Sequence, residues 1–127
     1  MSNYKSFEEL ACWQEARKLR NHVSKNVIIK FPVSEKYNLR DQILRSSRSI
    51  GGNIAEGFGR FHYQENIQFC RIARGSLYET LDHMIVAIDE NYIKENDLQD
   101  FKERFNKCLL ILNGYIKYLK DKKGSNN

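Results

Sequence analysis

Apolar side chains recur along this chain at the steps of three and four residues that gather them on one side of a helix. Cys12, Ala16, Leu19, Val23 and Val27 form the first such series. It predicts a helix of roughly six turns running to about Lys30, opened by a capping box in which Ser6 accepts from the Glu9 amide and Glu9 reaches back. Pro32 ends it, because Pro lacks an amide hydrogen and pushes Phe31 out of the helical region. A second helix, capped at Ser34 or a near neighbour, gathers Leu39, Ile43, Ser46, Ser47, Ile50, Ile54 and Gly57 on one side and stops around Gly57 to Gly59. A third, from about His62 to Asp89, carries a broad apolar arc of Ile67, Phe69, Cys70, Ala73, Leu77, Leu81, Met84, Ile85 and Ile88. The fourth has the strongest period: Leu98, Phe101, Phe105, Cys108, Leu112, Tyr115 and Leu119, with Asn96 and Gln99 as its N-terminal cap pair. Residues 121–127 contain no apolar side chain and read as a disordered tail. The pattern predicts an all-α protein, a single antiparallel up-down-up-down four-helix bundle over residues 1–120.

The central stretch Arg45 to Arg60 departs from an ordinary amphipathic helix. Beside its apolar seam, Arg45, Ser49, Gly52, Glu56 and Arg60 form a second, polar stripe at heptad-like spacing. Gly51 and Gly52 inside a helix each cost roughly 1 kcal/mol relative to Ala. They fit if another segment approaches the backbone closely, or if the helix ends near Ile50 and restarts after a Gly-Gly turn. On the third helix, Arg74 falls within the apolar arc, which predicts a buried polar network with Asn53 and Glu56 as the nearest partners by helix phase. Stripping a buried carboxylate of that guanidinium would cost about 3 to 5 kcal/mol. Ile72, Glu79 and Val86 repeat every seven residues on the opposite side and suggest a subunit contact.

Charge adds direction to this picture. The net charge of +5 resides in residues 1–60, with 11 Lys/Arg against 6 Asp/Glu, whereas residues 61–127 hold 10 of each. Between Ala16 and Arg60 the excess is +7, and between Tyr78 and Glu103 it is −6. A polyanion suits the first half, and attraction between copies suits the pair of halves. Arg17, Arg20, Lys25, Arg45 and Arg48 lie off the apolar seams and are the candidate phosphate contacts. Arg60 and His62, interleaved with Phe58, Phe61 and Tyr63, read either as a stacking cluster or as a hydrophobic plug.

Other function classes find little support. The cysteines Cys12, Cys70 and Cys108 have no metal-ligand spacing and read as packing residues in a reduced cytoplasm. His22, His62 and His83 sit on different elements, and no phosphate-cradling loop or nucleophile motif occurs. The chain is expected to be no enzyme and to need neither metal nor cofactor. No apolar run is long enough to span a membrane.

The motifs F-E-E-L-x-x-W-Q-x-A-R-x-L from Phe7, F-P-x-x-E-x-Y-x-L from Phe31, S-I-x-x-N-I-A-E-G-F-G-R from Ser49 and I-A-R-G-S-L-x-E from Ile72 occur in that order. Together they resemble bacterial four-helix-bundle proteins encoded in intervening sequences of the large-subunit ribosomal RNA gene, a family often labelled ribosomal. The resemblance implies a ring-like homopentamer. It also implies kinship with accessory proteins of diversity-generating retroelements, which bind nucleic acid and a reverse transcriptase. On those grounds the expected partners are further copies of this chain, RNA or DNA, and a reverse transcriptase in the scaffold alternative. The family motif falls here on Asn53, Glu56, Gly57, Arg60, Arg74, Gly75, Ser76 and Glu79. Two departures stand out: Gly51 and Gly52 replace a frequent Pro and Ser, which makes the second helix more pliable, and His62 replaces a Ser that would cap the third.

Overall fold

The computed structural model describes residues 4–125. Helix α1 spans Ala11–His22 and continues through a π turn, Val23–Val27, and a 3-10 turn, Ile28–Lys30. Helices α2, α3 and α4 span Leu39–Gly59, Tyr63–Asp89 and Glu95–Ser125. Side chains that meet across the bundle fix an antiparallel order. Ser46 meets Thr80 and Ser49 meets Ser76 between α2 and α3; Arg74 meets Asn113 and Asn66 meets Tyr115 between α3 and α4. Glu15 with Lys107 and His22 with Asp100 close α1 onto α4. Most of the predicted seam residues form the core, and Ile43, Ile50, Ile54, Leu77, Met84, Phe101, Leu112 and Leu119 are fully buried; Ile85 of the third arc is instead exposed, and on α4 Ile116 is buried where Tyr115 was expected. All three cysteines are buried free thiols. Burial pushes the Cys70 and Cys108 thiols up to about 12, so both stay protonated and behave as packing groups.

The helix ends differ from the sequence expectation in two places, the start of α1 and the end of α4. Ser6 accepts from the Glu8 amide rather than that of Glu9, while Glu9 accepts from the Lys5 amide, and together they cap only a 3-10 turn, Phe7–Glu9. Leu10 is extended and buried, and anchoring it in the core delays α1 to Ala11. For helix α2 the capping side chain is a near neighbour of Ser34, as expected: Glu35 Oε1 accepts from the Leu39 amide at 3.0 Å and its Oε2 from the Tyr92 hydroxyl at 2.6 Å. The Tyr92 bond, then the Leu39 bond, hold this carboxyl below its usual range. Helix α4 runs through the expected tail as far as Ser125, because Leu119 is buried, Lys117 bridges Asp121 at 3.1 Å and Lys123 reaches Gln64 on α3. Residues 126 and 127 of that tail lie outside the described residues.

Helix α2 is continuous through Gly51 and Gly52. At Gly51 the reason is close approach, since a Cβ there would stand 3.3 Å from the Trp13 indole nitrogen. Gly57 is tighter still. An added Cβ would lie 2.8 Å from both Asn66 Oδ1 and Phe69 Cβ, and 3.2 Å from the Asn66 carbonyl. Asn66 is fully buried and fixed by donating to the Tyr115 hydroxyl, so it has little room to yield. Gly57→Ala is therefore expected to cost about 1 to 3 kcal/mol. Gly114→Ala, in open space on α4, should instead stabilise by up to about 1 kcal/mol. Urea unfolding of the two variants checks this, and equal effects would contradict the close packing at Gly57.

Candidate nucleic-acid interface

The contact of Trp13 and Ala16 with Gly51 sets how α1 lies along α2. With about 100° per residue, Arg17 and Arg20 of α1 and Arg40 and Arg48 of α2 flank the outside of that junction. Among the described residues, no carboxylate forms an ion pair with any of the four. The Arg17 guanidinium rests over the Trp13 ring, 5.8 Å from its centroid. Arg40 is an addition that the sequence pattern did not single out, although it lies one turn ahead of Leu44 on the same helix. Lys25 is exposed in the π turn that follows α1. Arg45 is on the other edge of α2, toward α3, and its Nε pairs with Asp41 at 3.2 Å. The five expected phosphate contacts thus divide into Arg17, Arg20 and Arg48 on one face, with Lys25 and Arg45 outside it.

The residues expected to build a buried network do something else. Arg74 is only half-buried, and its Nη1 donates to Asn113 Oδ1 of α4 at 2.8 Å. Its long side chain leaves the apolar arc for the bundle surface, so neither Asn53 nor Glu56 is its partner. Asn53 donates to the carbonyl and hydroxyl of Ser49 on its own helix, both at 2.8 Å, and Glu56 is exposed. Arg60 lies over the Phe69 ring at 5.2 Å. Glu79 is exposed, and its Oε2 stands 3.3 Å from His83 Nε2. Ile72 and Val86 are 53% and 38% exposed and leave an apolar fringe along α3, while Tyr78 and Ile85 are exposed on its α4 edge, where Tyr78 meets Phe105 edge-on at 5.1 Å. At the α2–α3 turn the aromatic cluster splits: Phe58 is buried, whereas Phe61 is exposed at φ 59°. His62 opens α3 without a side-chain cap, as its replacement of Ser implies.

The buried polar network is made of hydroxyls between α2 and α3. Ser46 Oγ and Thr80 Oγ1 share a hydrogen bond at 2.8 Å, and the carbonyls of Ile43, 3.2 Å from Ser46, and Ser76, 2.8 Å from Thr80, accept from whichever hydroxyl does not donate across the seam. One turn along, Ser76 donates to Ser49 at 3.0 Å. Helix phase places Ser46 on the apolar seam, which could have disclosed its burial; nothing in the sequence pairs it with Thr80. A second group of cations also went unremarked. Arg71, Lys120 and Lys123 surround Gln64 at the end of α4.

His22 is a buried histidine between α1 and α4. Asn26 Nδ2 donates to its Nδ1 at 3.2 Å, and Nε2 faces Asp100 Oδ2 at 3.7 Å. Burial and then Arg104 lower its pKa, with Asp100 and Asp97 opposing. No group of three or more His, Cys, Asp or Glu among the described residues could hold a metal ion.

These features define a small antiparallel four-helix bundle with an unpaired arginine face. The sequence profile of the 23S rRNA-intervening sequence protein family matches residues 8–114, and the chain belongs to that family. A crystal structure of a protein of unknown function from the S23 ribosomal protein family of Bacteroides thetaiotaomicron shares the fold. It superposes with a TM-score of 0.73 at 24% identity, covering 84% of this chain and 95% of that one. No curated protein matches the chain significantly.

Two measurements test these assignments. In a double-mutant cycle, Ser46→Ala and Thr80→Val should show a coupling of about 1 kcal/mol. Arg74→Ala should cost no more than about 1 kcal/mol, the worth of one accessible hydrogen bond. Zero coupling in the first, or a several-fold larger loss in the second, would reverse the positions of the two networks. For His22, a depressed folded pKa means that the unfolded state binds its proton first. Its stabilising contribution is complete above the ordinary value of 6.5 and is lost as pH falls from there through the lowered folded value. Urea midpoints measured from about pH 8 to about pH 5 should fall more steeply for the wild type than for His22→Gln.

Proposed function

We propose that the protein is a non-enzymatic, homo-oligomeric nucleic-acid-binding protein, with RNA as the favoured ligand, gripping phosphates along the outer α1–α2 face. The observation that carries this reading is the set Arg17, Arg20, Arg40 and Arg48, which flank one helix junction without carboxylate partners. Unpaired guanidiniums present their donor forks to solvent, and such forks match phosphate oxygens. Contacts of this kind position a nucleic acid without reading its bases, so sequence preference should be low.

Assembly is supported by a different surface. Ser49 meets Ser76, and the outer stripes on either side of that seam, Gly52 and Glu56 on α2 and Ile72, Glu79 and Val86 on α3, lie side by side. The exposed Ile72 and Val86 fringe is the part a neighbouring copy would cover. A five-fold ring is the assembly expected from the family resemblance, and repetition around it would raise weak phosphate contacts by avidity. The same exposed fringe also favours the second reading, a scaffold that recruits a protein such as a reverse transcriptase.

Binding of a structured RNA across a salt series separates the two. Arg17→Ala/Arg20→Ala should weaken binding and flatten the salt dependence by roughly 0.7 to 0.9 in slope for each phosphate no longer neutralised. Arg45→Ala, which removes a cation already paired with Asp41, should leave both unchanged. Light scattering supplies the mass of each variant, so that a failure to assemble is not mistaken for weaker binding by the face itself. Equal effects of the two variants would remove the α1–α2 face from the proposal. No binding by wild type at low salt would put the scaffold ahead.

A further inference from the structure

Beside the arginine face, an open pocket of about 450 Å³ is lined by Glu8, Trp13, Gln14, Arg17, Lys18 and Asn21. Its floor is the indole of Trp13, which is held rigidly. The Phe7 ring meets it edge-on at a centroid distance of 5.0 Å, and the Gly51 backbone lies beneath its nitrogen. The rim is polar and offers both hydrogen-bond donors and acceptors. Gln14 Nε2 is fixed by donating to the Glu8 carbonyl at 2.9 Å, which leaves its side-chain oxygen free to accept. The exposed Arg17 guanidinium lies over the indole at 5.8 Å from the ring centroid.

From this geometry we infer that the pocket takes one unpaired nucleobase, stacked on Trp13, with its edge toward Gln14 and Asn21. This rests on the nucleic-acid reading above and narrows it to ligands that contain single-stranded or flipped-out bases. A base has a flat π face and hydrogen-bonding edges, which match a flat indole floor and a mixed polar rim. Arg17 need not leave the site. An exposed cation over a ring is weakly held, and when the base takes its place over the indole the guanidinium is free to pair with the adjoining phosphate. Duplex RNA presents no such face, because its bases are stacked inside the helix. The basic face therefore holds either form, and the Trp13 pocket favours the unpaired one.

Trp13 is the only tryptophan in the chain, so its emission reports this pocket alone. The full-length protein is titrated with a short oligoadenylate and with a blunt RNA duplex of equal length, each end-labelled so that anisotropy records binding separately. The single strand should quench Trp13 emission in parallel with its anisotropy rise, and the bound duplex should not. Trp13→Leu, checked for helicity and mass, should lower single-strand affinity about tenfold while leaving duplex affinity and salt slope unchanged. Single-strand binding without quenching overturns the inference while the nucleic-acid reading stands, as does a Trp13→Leu variant that weakens both ligands equally or neither. Should that variant fail to fold, the wild-type contrast between strand and duplex decides. Absence of binding by either RNA overturns the inference together with the reading it rests on.

Discussion

Small residues between α2 and α3 are the constraint on which the remaining structure depends. Gly57 admits the buried Asn66 and Phe69 Cβ at a distance that any side chain in its place would block, and the hydroxyls of Ser46, Ser49, Ser76 and Thr80 bond across the same junction. These groups are buried or nearly so, so each must keep its partner or lose hydration without return. That requirement fixes the register of the two helices more sharply than apolar contact does, because a slip of one residue separates Ser46 from Thr80 and puts a side chain into the space that Gly57 leaves. Hydrophobic burial stabilises the bundle, and the hydroxyl seam selects which bundle.

Most of the architecture was legible because helix phase is a local property. The repeats from Cys12 to Val27 and from Leu98 to Leu119 needed no knowledge of neighbours, and all their members but Tyr115 became core. What phase does not contain is the reach of a side chain or the identity of what faces it. Arg74 points into the apolar arc at its Cβ, yet its guanidinium extends to Asn113 on the surface. Ser46 sits on the seam as phase requires, while its bond to Thr80 depends on how α2 and α3 are staggered. The start of α1 failed for the same reason, because Leu10 is drawn extended into the core. Glu35 caps α2 while Tyr92, brought from the far connection, bonds its other oxygen. At the opposite end, α4 outlasts its apolar period because a buried Leu119 and the reach of Lys123 to Gln64 stabilise a segment whose own composition is polar.

The arginines show how a count of charge becomes a surface. The +7 excess in residues 16–60 is a property of the sequence, but the fold distributes it over two edges of α2. Arg45 pairs with Asp41 on one edge, and Arg48 remains unpaired beside α1 on the other. A uniform basic surface over both helices would have predicted equal roles for them. The observed division does not, and it leaves the unpaired set next to the chain's single tryptophan.

Register also explains why a phosphate-binding face and an assembly face can coexist on so small a domain. The seam draws the inner sides of α2 and α3 together, which turns Gly52, Glu56, Ile72 and Val86 outward on one flank. The approach of α1 to Gly51 turns Arg17, Arg20, Arg40 and Arg48 outward on the next. Helix α2 takes part in both flanks, so its two outer edges differ in chemistry while sharing one backbone. Covering the α3 flank with another copy would leave the arginine flank open, and each added copy would present its own Trp13 pocket beside it. In the proposed assembly, the weak contacts of one chain thus become repeated contacts on one ligand, and the spacing of those repeats is set by the same small-residue seam that fixes the fold.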